Sequence, residues 1–440
     1  MQTAYKTTAA SEIAEQIVTQ ADAEAFAKIV NDYLIGSGTN ASYSSGSYII
    51  TGLEAGYYLI VNTGVPTGCD YSSDIMINVL ANTTVNPKVE SPESDKTVSD
   101  INDSEATSYT DNQKSADHDI GDQVPFTLTA TLPGNYGAYN TYLLVFHDKM
   151  ETGLTFNPSS VVVSVTTNGT TTVVSSGYVV ATATQGTLRG TACTFEVQIA
   201  DTNLLYDASG DLITVTADSV ITVNYTAELN ENAVIGDYGN KNTSHIEYSN
   251  RPDWDGTGEE PTGETPPETV VVFTYKLTVD KVELDDAGNP SALDGAGFTL
   301  YKYDADQSDW VAVGSEITTG TTFTWTGLDD GDYMLVETTT PNGYNTMSNL
   351  YFTIEATHTE NGITTLDVKD AQGNVISGSG LTFTATASSG AVATSIVNEK
   401  GTNLPGTGGI GTTIFYIVGG VMVLGAAVIL ITKRRMSRSK

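Results

Sequence analysis

Residues 327–343, "GLDDGDYMLVETTTPNG", have a counterpart near the start of the chain at residues 52–68, "GLEAGYYLIVNTGVPTG". Around both copies, short runs of β-branched and aromatic residues alternate with Gly, Asn and Asp turns, a composition that favours strands. We therefore predict that the chain repeats a β domain. One difference bears on chemistry, because Asn62 in the first copy occupies the position of Glu337 in the second. Aligned without gaps, the copies share the residues that the first copy carries as Gly52, Leu53, Gly56, Tyr58, Val61, Thr63, Pro66 and Gly68.

The chain has 440 residues, which is long enough for three domains. A stretch rich in Pro, Gly and Glu at residues 251–268 indicates a boundary or a long exposed loop. We predict a mainly β protein with domains at residues 1–88, 89–268 and 269–402, followed by a separate C-terminal tail at 403–440.

One helix and two hairpins can be predicted locally. Residues 11–35 carry the pattern of a soluble helix. "VVVSVTTNGTTTVV" predicts a hairpin that turns at residues 168–169, and residues 298–314 predict another that turns at their Asp-rich centre. Neither that centre nor "DWDG" at 253–256 has the spacing of a calcium loop with a closing bidentate Glu, so turns are favoured.

The charge of the chain excludes some partners. It has 19 Lys and Arg residues against 53 Asp and Glu residues, a net charge of −34. This argues against binding to nucleic acid or to an anionic membrane, and is typical of acidic secreted bacterial proteins.

Cysteine and histidine chemistry is not expected either. The two cysteines, Cys69 and Cys193, are far apart and form no CxxC motif, and the four histidines are scattered along the sequence. We therefore expect no disulfide framework, no metal site and no cofactor. No set of paired catalytic groups in the sequence indicates a hydrolase.

The C-terminus has the features of a membrane anchor. Residues 414–431, "IFYIVGGVMVLGAAVILI", are uncharged and just long enough to cross a bilayer as a helix. The basic tail "TKRRMSRSK" that follows would remain in the cytoplasm and leave the bulk of the chain outside. Because "MQTAYKTTAASEIAEQ" lacks the charged and apolar regions of a signal peptide, we expect the numbering to begin downstream of one.

The segment before this span resembles the LPxTG cell-wall sorting signal of Gram-positive bacteria. It reads Leu404-Pro405-Gly406-Thr407-Gly408 and is followed by the apolar span and the basic tail in the order of that signal. The resemblance implies that a sortase cuts after Thr407, holds it as a thioester and passes it to an amine.

The third domain resembles the collagen-adhesin B-type (Cna-B) domains of Gram-positive pilins. Its segment "YMLVETTTPNGY" is similar to their E-box, and the resemblance implies an immunoglobulin-like β-sandwich with an internal isopeptide bond between Lys281 and Asn398, promoted by Glu337. The residue types suit this chemistry, because burial favours the neutral, nucleophilic amine. A buried carboxylic acid would donate to the Asn carbonyl oxygen and then transfer protons as ammonia leaves.

The middle domain resembles the other isopeptide domain of these pilins. The resemblance assigns the lysine to Lys96, the acid to Asp148 and the closing amide to Asn242. Lys114 and Asn240 are nearby competitors for the two bonding positions.

The first domain differs, and its end carries a further motif. Because Asn62 occupies the acid position and the sequence shows no obvious early-strand lysine beyond Lys6, we predict no isopeptide bond there. Residues 85–88, "VNPK", resemble the pilin motif "V-Y-P-K", whose lysine attacks the sortase thioester, although Asn86 replaces the aromatic residue. The resemblance makes Lys88 the inter-subunit acceptor.

The chain is thus identified as a member of the sortase-assembled backbone pilins. This implies a surface protein attached to the cell wall, with identical subunits, pilin and housekeeping sortases and peptidoglycan as partners, and possible accessory pilins and host ligands. It would support adhesion and would not be an enzyme. The alternatives are a monomeric wall-anchored adhesin, which would not use Lys88, and a minor basal or tip pilin.

Overall fold

The computed structural model describes residues 22, 26, 38–44, 47–61, 75–85, 91–105, 107–183, 188–252, 260–370, 372–376 and 383–401. Most of the helix predicted at 11–35 lies outside these residues; Asp22 and Phe26 are described and are helical. The span predicted at 414–431 lies outside them entirely. Within the described part of the chain, no helix combines the length and the apolar character needed to cross a membrane.

Among its described residues, the N-terminal part contains two antiparallel strand pairs, β1 with β2 and β3 with β4. Gly56 begins β3, and the aligned Gly331 begins a strand in the third domain, so the sequence repeat coincides with equivalent strand starts. The four strands are β1 (Ser42–Ser44), β2 (Ser47–Ile49), β3 (Gly56–Ile60) and β4 (Ile75–Val79).

Two facing sheets form a sandwich in the middle of the chain. Their orders are β11-β10-β14-β8-β5-β6 and β12-β13-β9-β15-β17-β7, with β16 paired to β15. The strands are β5 (Glu93–Asp100), β6 (Thr110–Gln113), β7 (Ser115–Asp117), β8 (Gln123–Thr131), β9 (Leu144–Met150), β10 (Leu154–Thr167), β11 (Thr170–Val173), β12 (Val179–Thr182), β13 (Phe195–Ile199), β14 (Val220–Leu229), β15 (Asn240–Ser249), β16 (Thr262–Glu264) and β17 (Glu268–Phe273). Short 3-10 turns occur at Tyr136–Ala138 and Thr202–Leu204.

Alternating apolar residues produce this sandwich. Along β8 and β14 every second side chain is buried, as expected for strands with one face on a core. Phe126 and Tyr225 from these strands stack with ring centroids 5.4 Å apart in the core.

A second sandwich follows, with sheet orders β19-β18-β27-β26 and β21-β20-β23-β24-β25; β22 also pairs with β18. Its first long strand, β18, runs parallel to its last strand, β27. The strands are β18 (Tyr275–Leu284), β19 (Pro290–Ala292), β20 (Gly297–Asp304), β21 (Asp309–Ala312), β22 (Thr322–Leu328), β23 (Gly331–Thr339), β24 (Leu350–Thr359), β25 (Gly362–Lys369), β26 (Phe383–Thr386) and β27 (Ala391–Val397), with a 3-10 turn at Ala387–Ser389.

Both predicted hairpins are confirmed. Strands β10 and β11 turn at Asn168 and Gly169, whose φ angles of 51° and 79° are the positive values that a tight two-residue hairpin requires. Strands β20 and β21 pair across the Asp-rich turn, with Asp304 opposite Asp309.

The two sandwiches meet at a polar junction. Lys302 of β20 is 6% exposed, and its Nζ lies 2.6 Å from a carboxylate oxygen of Asp119 and 3.1 Å from one of Asp329. The backbone N–H of Ile120 donates to the carbonyl of Gly327 at 3.0 Å. A Cβ on Gly327 would lie 2.4 Å from the Ile120 side chain, so the backbones approach as closely as they do because this residue is glycine.

Candidate isopeptide sites

Lys281, Glu337 and Asn398 converge inside the second sandwich. Lys281 Nζ donates to Asn398 Oδ1 at 2.5 Å and lies 3.0 Å from Glu337 Oε1. Asn398 Nδ2 donates to the same Glu337 oxygen at 2.9 Å. The three side chains are 0%, 4% and 4% exposed, so water is excluded from the group.

Strand register explains why these side chains meet. On β18 the inward positions alternate through Leu277, Val279 and Lys281, which places a lysine in an otherwise apolar row. Asn398 directly follows β27, and its backbone N–H donates to the carbonyl of Val282 at 3.0 Å. The parallel pairing of β18 and β27 therefore holds the lysine and the asparagine side by side.

The surroundings favour the neutral amine. Lys281 Nζ lies 5.1 Å from the centre of the Phe298 ring, and burial lowers the pKa of Lys281 against the opposing effect of Glu337. A neutral amine has the free electron pair that attack on the Asn398 amide carbon requires.

The contacts of Glu337 differ from the sequence expectation in one respect. We expected the acid to face the carbonyl oxygen of Asn398, but Glu337 Oε1 contacts the amide nitrogen and Lys281 Nζ instead. The other carboxylate oxygen accepts from the backbone N–H of Met347 at 2.8 Å. In this position the carboxylate can take a proton from the attacking amine and give it to the departing nitrogen.

The middle sandwich contains a second such group. Lys96 of β5 contacts Asp148 of β9, and Tyr225 OH donates to Asp148 Oδ2 at 2.7 Å. Lys96 Nζ donates to Tyr225 OH at 3.0 Å, and Asn242 Nδ2 of β15 donates to it at 2.9 Å. All three predicted residues are 0% exposed. The group spans the two sheets, since β5 belongs to one and β9 and β15 to the other.

Burial acts on both ionisable members of this pair. It lowers the pKa of Lys96 and raises the pKa of Asp148, and in each case the mutual attraction of the pair opposes the shift. The directions favour a neutral amine beside a protonated acid, which are the forms that amide formation uses.

Tyr225 is the functional candidate that sequence reasoning missed. It links the lysine, the acid and the asparagine through one hydroxyl, yet it lies 77 positions from Asp148 and 129 from Lys96. Its strand shows only the alternation of an ordinary core strand, so the sequence carries no signal for this role.

The two competitors are occupied elsewhere. Lys114 lies at the surface, where its Nζ contacts Asp95 and lies 3.1 Å from Glu268. Asn240 is buried, but its Nδ2 donates to backbone carbonyls of Val234 and Val272, both at 3.1 Å.

Several predicted residues lie outside the part of the chain that the structure describes. They are Lys6, Asn62, Cys69, Asn86, Lys88, Leu404, Pro405, Gly406, Thr407 and Gly408.

Three family models match the sequence. The Gram-positive pilin backbone subunit 2, Cna-B-like domain matches residues 120–252. The SpaA prealbumin-like fold domain matches residues 276–372, and the LPXTG cell wall anchor motif matches residues 396–437.

Relatives agree with these matches. The chain is 26% identical over 375 residues to the trypsin-resistant surface T6 protein of Streptococcus pyogenes serotype M6. The match covers 72% of this chain and 65% of the relative, so the chain spans slightly under two thirds of that protein.

Solved structures of backbone pilins are also similar. The T6 backbone pilin of S. pyogenes serotype M6 is 20% identical with a TM-score of 0.49, and the match covers 87% of this chain and 88% of that one. The group B streptococcus pilus 2b backbone protein is 23% identical with a TM-score of 0.43, covering 70% and 99%. The major pilin SpaD of Corynebacterium diphtheriae is 18% identical with a TM-score of 0.45, covering 81% and 82%.

The β-domain matches and the anchor motif define a surface protein attached to the bacterial cell wall. Within that class, residues 120–252 form a Gram-positive pilin backbone domain, as the sequence motifs predicted, and the chain is similar to a streptococcal surface T6 protein.

Proposed function

We propose that this backbone pilin is joined covalently to identical subunits, with Thr407 of one copy linked to Lys88 of the next by a pilin sortase. A housekeeping sortase would then attach the base of the polymer to peptidoglycan. In this reaction the protein is a substrate of enzymes, and its own chemistry is limited to internal crosslinking. The resulting fibre would support adhesion.

Side-chain geometry supports the internal bonds. The observation that carries them is the pair of buried groups, each with a lysine, an acid and an asparagine in mutual contact or joined through one hydroxyl. In each group the lysine amine would attack the asparagine amide carbon. The C–N bond to the amide nitrogen breaks, the acid passes the amine proton to it, and ammonia leaves.

The Lys281–Asn398 bond would suit a fibre under tension. These residues lie on the first long strand and directly after the last strand of their sandwich, which run parallel and adjacent. A covalent link there would carry a pulling force between the ends of the domain, so the sheets between them would not be separated.

Wall extracts analysed by denaturing gel test the assembly. In cells that carry the pilin sortase, wild-type protein should give a ladder of high-mass species, and Lys88→Ala should abolish it. Lys114→Ala is a matched control and should leave the ladder intact. A ladder that persists in Lys88→Ala contradicts the proposed acceptor, and a single wall-linked band in the wild type indicates a monomeric adhesin instead.

Intact mass tests the internal bonds separately. The wild-type protein should be lighter than its sequence by two molecules of ammonia. Glu337→Ala and Asp148→Ala should each be lighter than their own sequences by only one molecule of ammonia. A wild-type mass equal to that of the sequence would refute both bonds and would leave the sortase assembly untouched.

A further inference from the structure

The outer face of the sheet that contains Asp148 has another group of buried polar side chains. His147 of β9 is the direct strand partner of Glu196 of β13, and direct partners point to the same face of a sheet. Leu188 and Thr191 close a tight turn at this face, shortly before Cys193. His147, Glu196 and Cys193 are 1%, 0% and 3% exposed.

The spacing of three atoms in this group fits a tetrahedral metal site. His147 Nδ1, Cys193 Sγ and a carboxylate oxygen of Glu196 all lie within 4.8 Å of one another. Glu196 Oε1 is 3.0 Å from Nδ1 and 3.7 Å from Sγ. With the usual bond lengths to zinc, a tetrahedral site has N–O and S–O edges of about 3.3 Å and about 3.5 Å. The observed separations are within a few tenths of an ångström of these edges.

The neighbours of His147 orient its ring as they would for a ligand. His147 Nε2 lies 3.3 Å from Glu247 Oε2, and Arg189 holds the same carboxylate with two hydrogen bonds of 3.0 Å. A hydrogen bond from Nε2–H to the Glu247 carboxylate leaves the Nδ1 electron pair free, which is the arrangement usual behind metal-bound histidines. The ring of His245 stacks on that of His147 with centroids 4.7 Å apart.

A second observation concerns Nδ1 itself. Among the described residues, this buried atom of His147 has no hydrogen-bond partner, although a carboxylate oxygen of Glu196 lies 3.0 Å away. An unprotonated Nδ1 and a carboxylate oxygen are both acceptors, and two acceptors in buried contact are unfavourable unless a cation lies between them. A metal ion bound by both atoms would remove this conflict.

We propose that His147 Nδ1, Cys193 Sγ and Glu196 Oε1 bind one Zn²⁺ ion, with a water molecule as the fourth ligand. On binding, the Cys193 thiol releases its proton to solvent and the thiolate forms the bond to zinc, without a change in oxidation state. The site is independent of pilus assembly. The sequence gives no sign of this site, because the three ligands come together only through strand pairing and the folded loop.

Cobalt substitution tests the site in the full-length protein, purified in mild detergent and freed of metal with a chelator. One equivalent of Co²⁺ should produce a sulfur-to-cobalt charge-transfer band, and one equivalent of Zn²⁺ should abolish it. Cys193→Ser should lose the band, and Cys69→Ser, which removes the other cysteine, should keep it. Glu196→Gln and His147→Gln should each weaken Zn²⁺ binding by at least 10-fold, in the range typical of losing a ligand or its support.

Two results would overturn the proposal. One is the absence of the band in the wild type, which would mean that His147 carries a proton on Nδ1 and pairs with Glu196 as an imidazolium ion. The other is a band that survives Cys193→Ser or disappears in Cys69→Ser. If Cys193→Ser fails to fold, X-ray absorption on the zinc-loaded wild type decides the matter. One sulfur neighbour at about 2.3 Å supports the site, and a shell without sulfur refutes it.

Discussion

Removing the proposed Lys281–Asn398 bond should destabilise the third domain by an amount that depends on the length of the loop that the bond closes. The bond would close a loop between residues 117 positions apart. In the loop-entropy model such a crosslink stabilises the fold by about 5 kcal/mol. At about 4 °C per kcal/mol for a domain of this size, its loss should lower the melting temperature by about 20 °C.

Two substitutions separate the crosslink from the buried charge. Lys281→Met removes the bond and the amine together and keeps a side chain of similar length in the apolar row. Its destabilisation should therefore be close to the crosslink value. Glu337→Gln blocks proton transfer but leaves an uncrosslinked amine at a site that is 0% exposed, so it should be destabilised further, by several kcal/mol.

Calorimetry together with intact mass provides the assay. Relative to its own sequence, each variant should have lost one ammonia molecule fewer than the wild type has. The melting temperature of the third domain should fall, while that of the middle domain should not change. The reasoning is refuted if Lys281→Met regains the ammonia but melts within about 5 °C of wild type. The loop would then be constrained by other means, and the crosslink would have no thermodynamic role.

Three further predictions concern the middle sandwich and the junction. Tyr225→Phe should slow bond formation in the middle sandwich without abolishing it, because Asp148 remains; time-resolved mass of freshly refolded protein would reveal this, and a rate equal to wild type would contradict it. Burial raises the pKa of Asp330 to about 8. The stability that comes from the protonated form is fully present below the ordinary pKa of 3.8 and is lost as the pH rises through 8. Melting temperature should therefore fall across that range, and Asp330→Asn should flatten the fall. Gly327→Ala should lower the free energy of unfolding by about 1–3 kcal/mol, since the φ of 75° at this position disfavours a side chain and the new Cβ would meet Ile120. Urea unfolding measures this loss, with Gly343→Ala as the control at an exposed position that also has a positive φ.

The elements that sequence reasoning placed well are those defined by local pattern. The hairpin at Asn168 and Gly169 follows from the positive φ angles that its turn demands. Lys281, Glu337 and Asn398 were expected together because their segments resemble the motifs of Cna-B domains, and the structure brings the three side chains into contact.

The features that were missed depend on register between distant strands. Tyr225 joins the middle group through pairing of β14 with β8 and packing across the sandwich. His147 and Glu196 face each other because β9 pairs with β13 in one register, and a shift of one residue would move them to opposite faces. Composition and spacing contain no information on that register, so the scattered histidines and the single cysteine of this domain appeared unrelated.

The energetics of the two buried lysines favour a reaction over a permanent ion pair. Lys96 and Lys281 are each fully buried beside an acid. A buried ion pair usually gains less from attraction than its desolvation costs, so an apolar pair of similar size would stabilise these cores as well or better. Conversion of the amine and the amide into an isopeptide removes the ionisable amine permanently and replaces it with a neutral group. The cost of burying each lysine then applies only before the bond forms, whereas the constraint on the chain remains afterwards. This difference gives a physical reason why two domains of one chain should each contain an arrangement that is unfavourable unless it reacts.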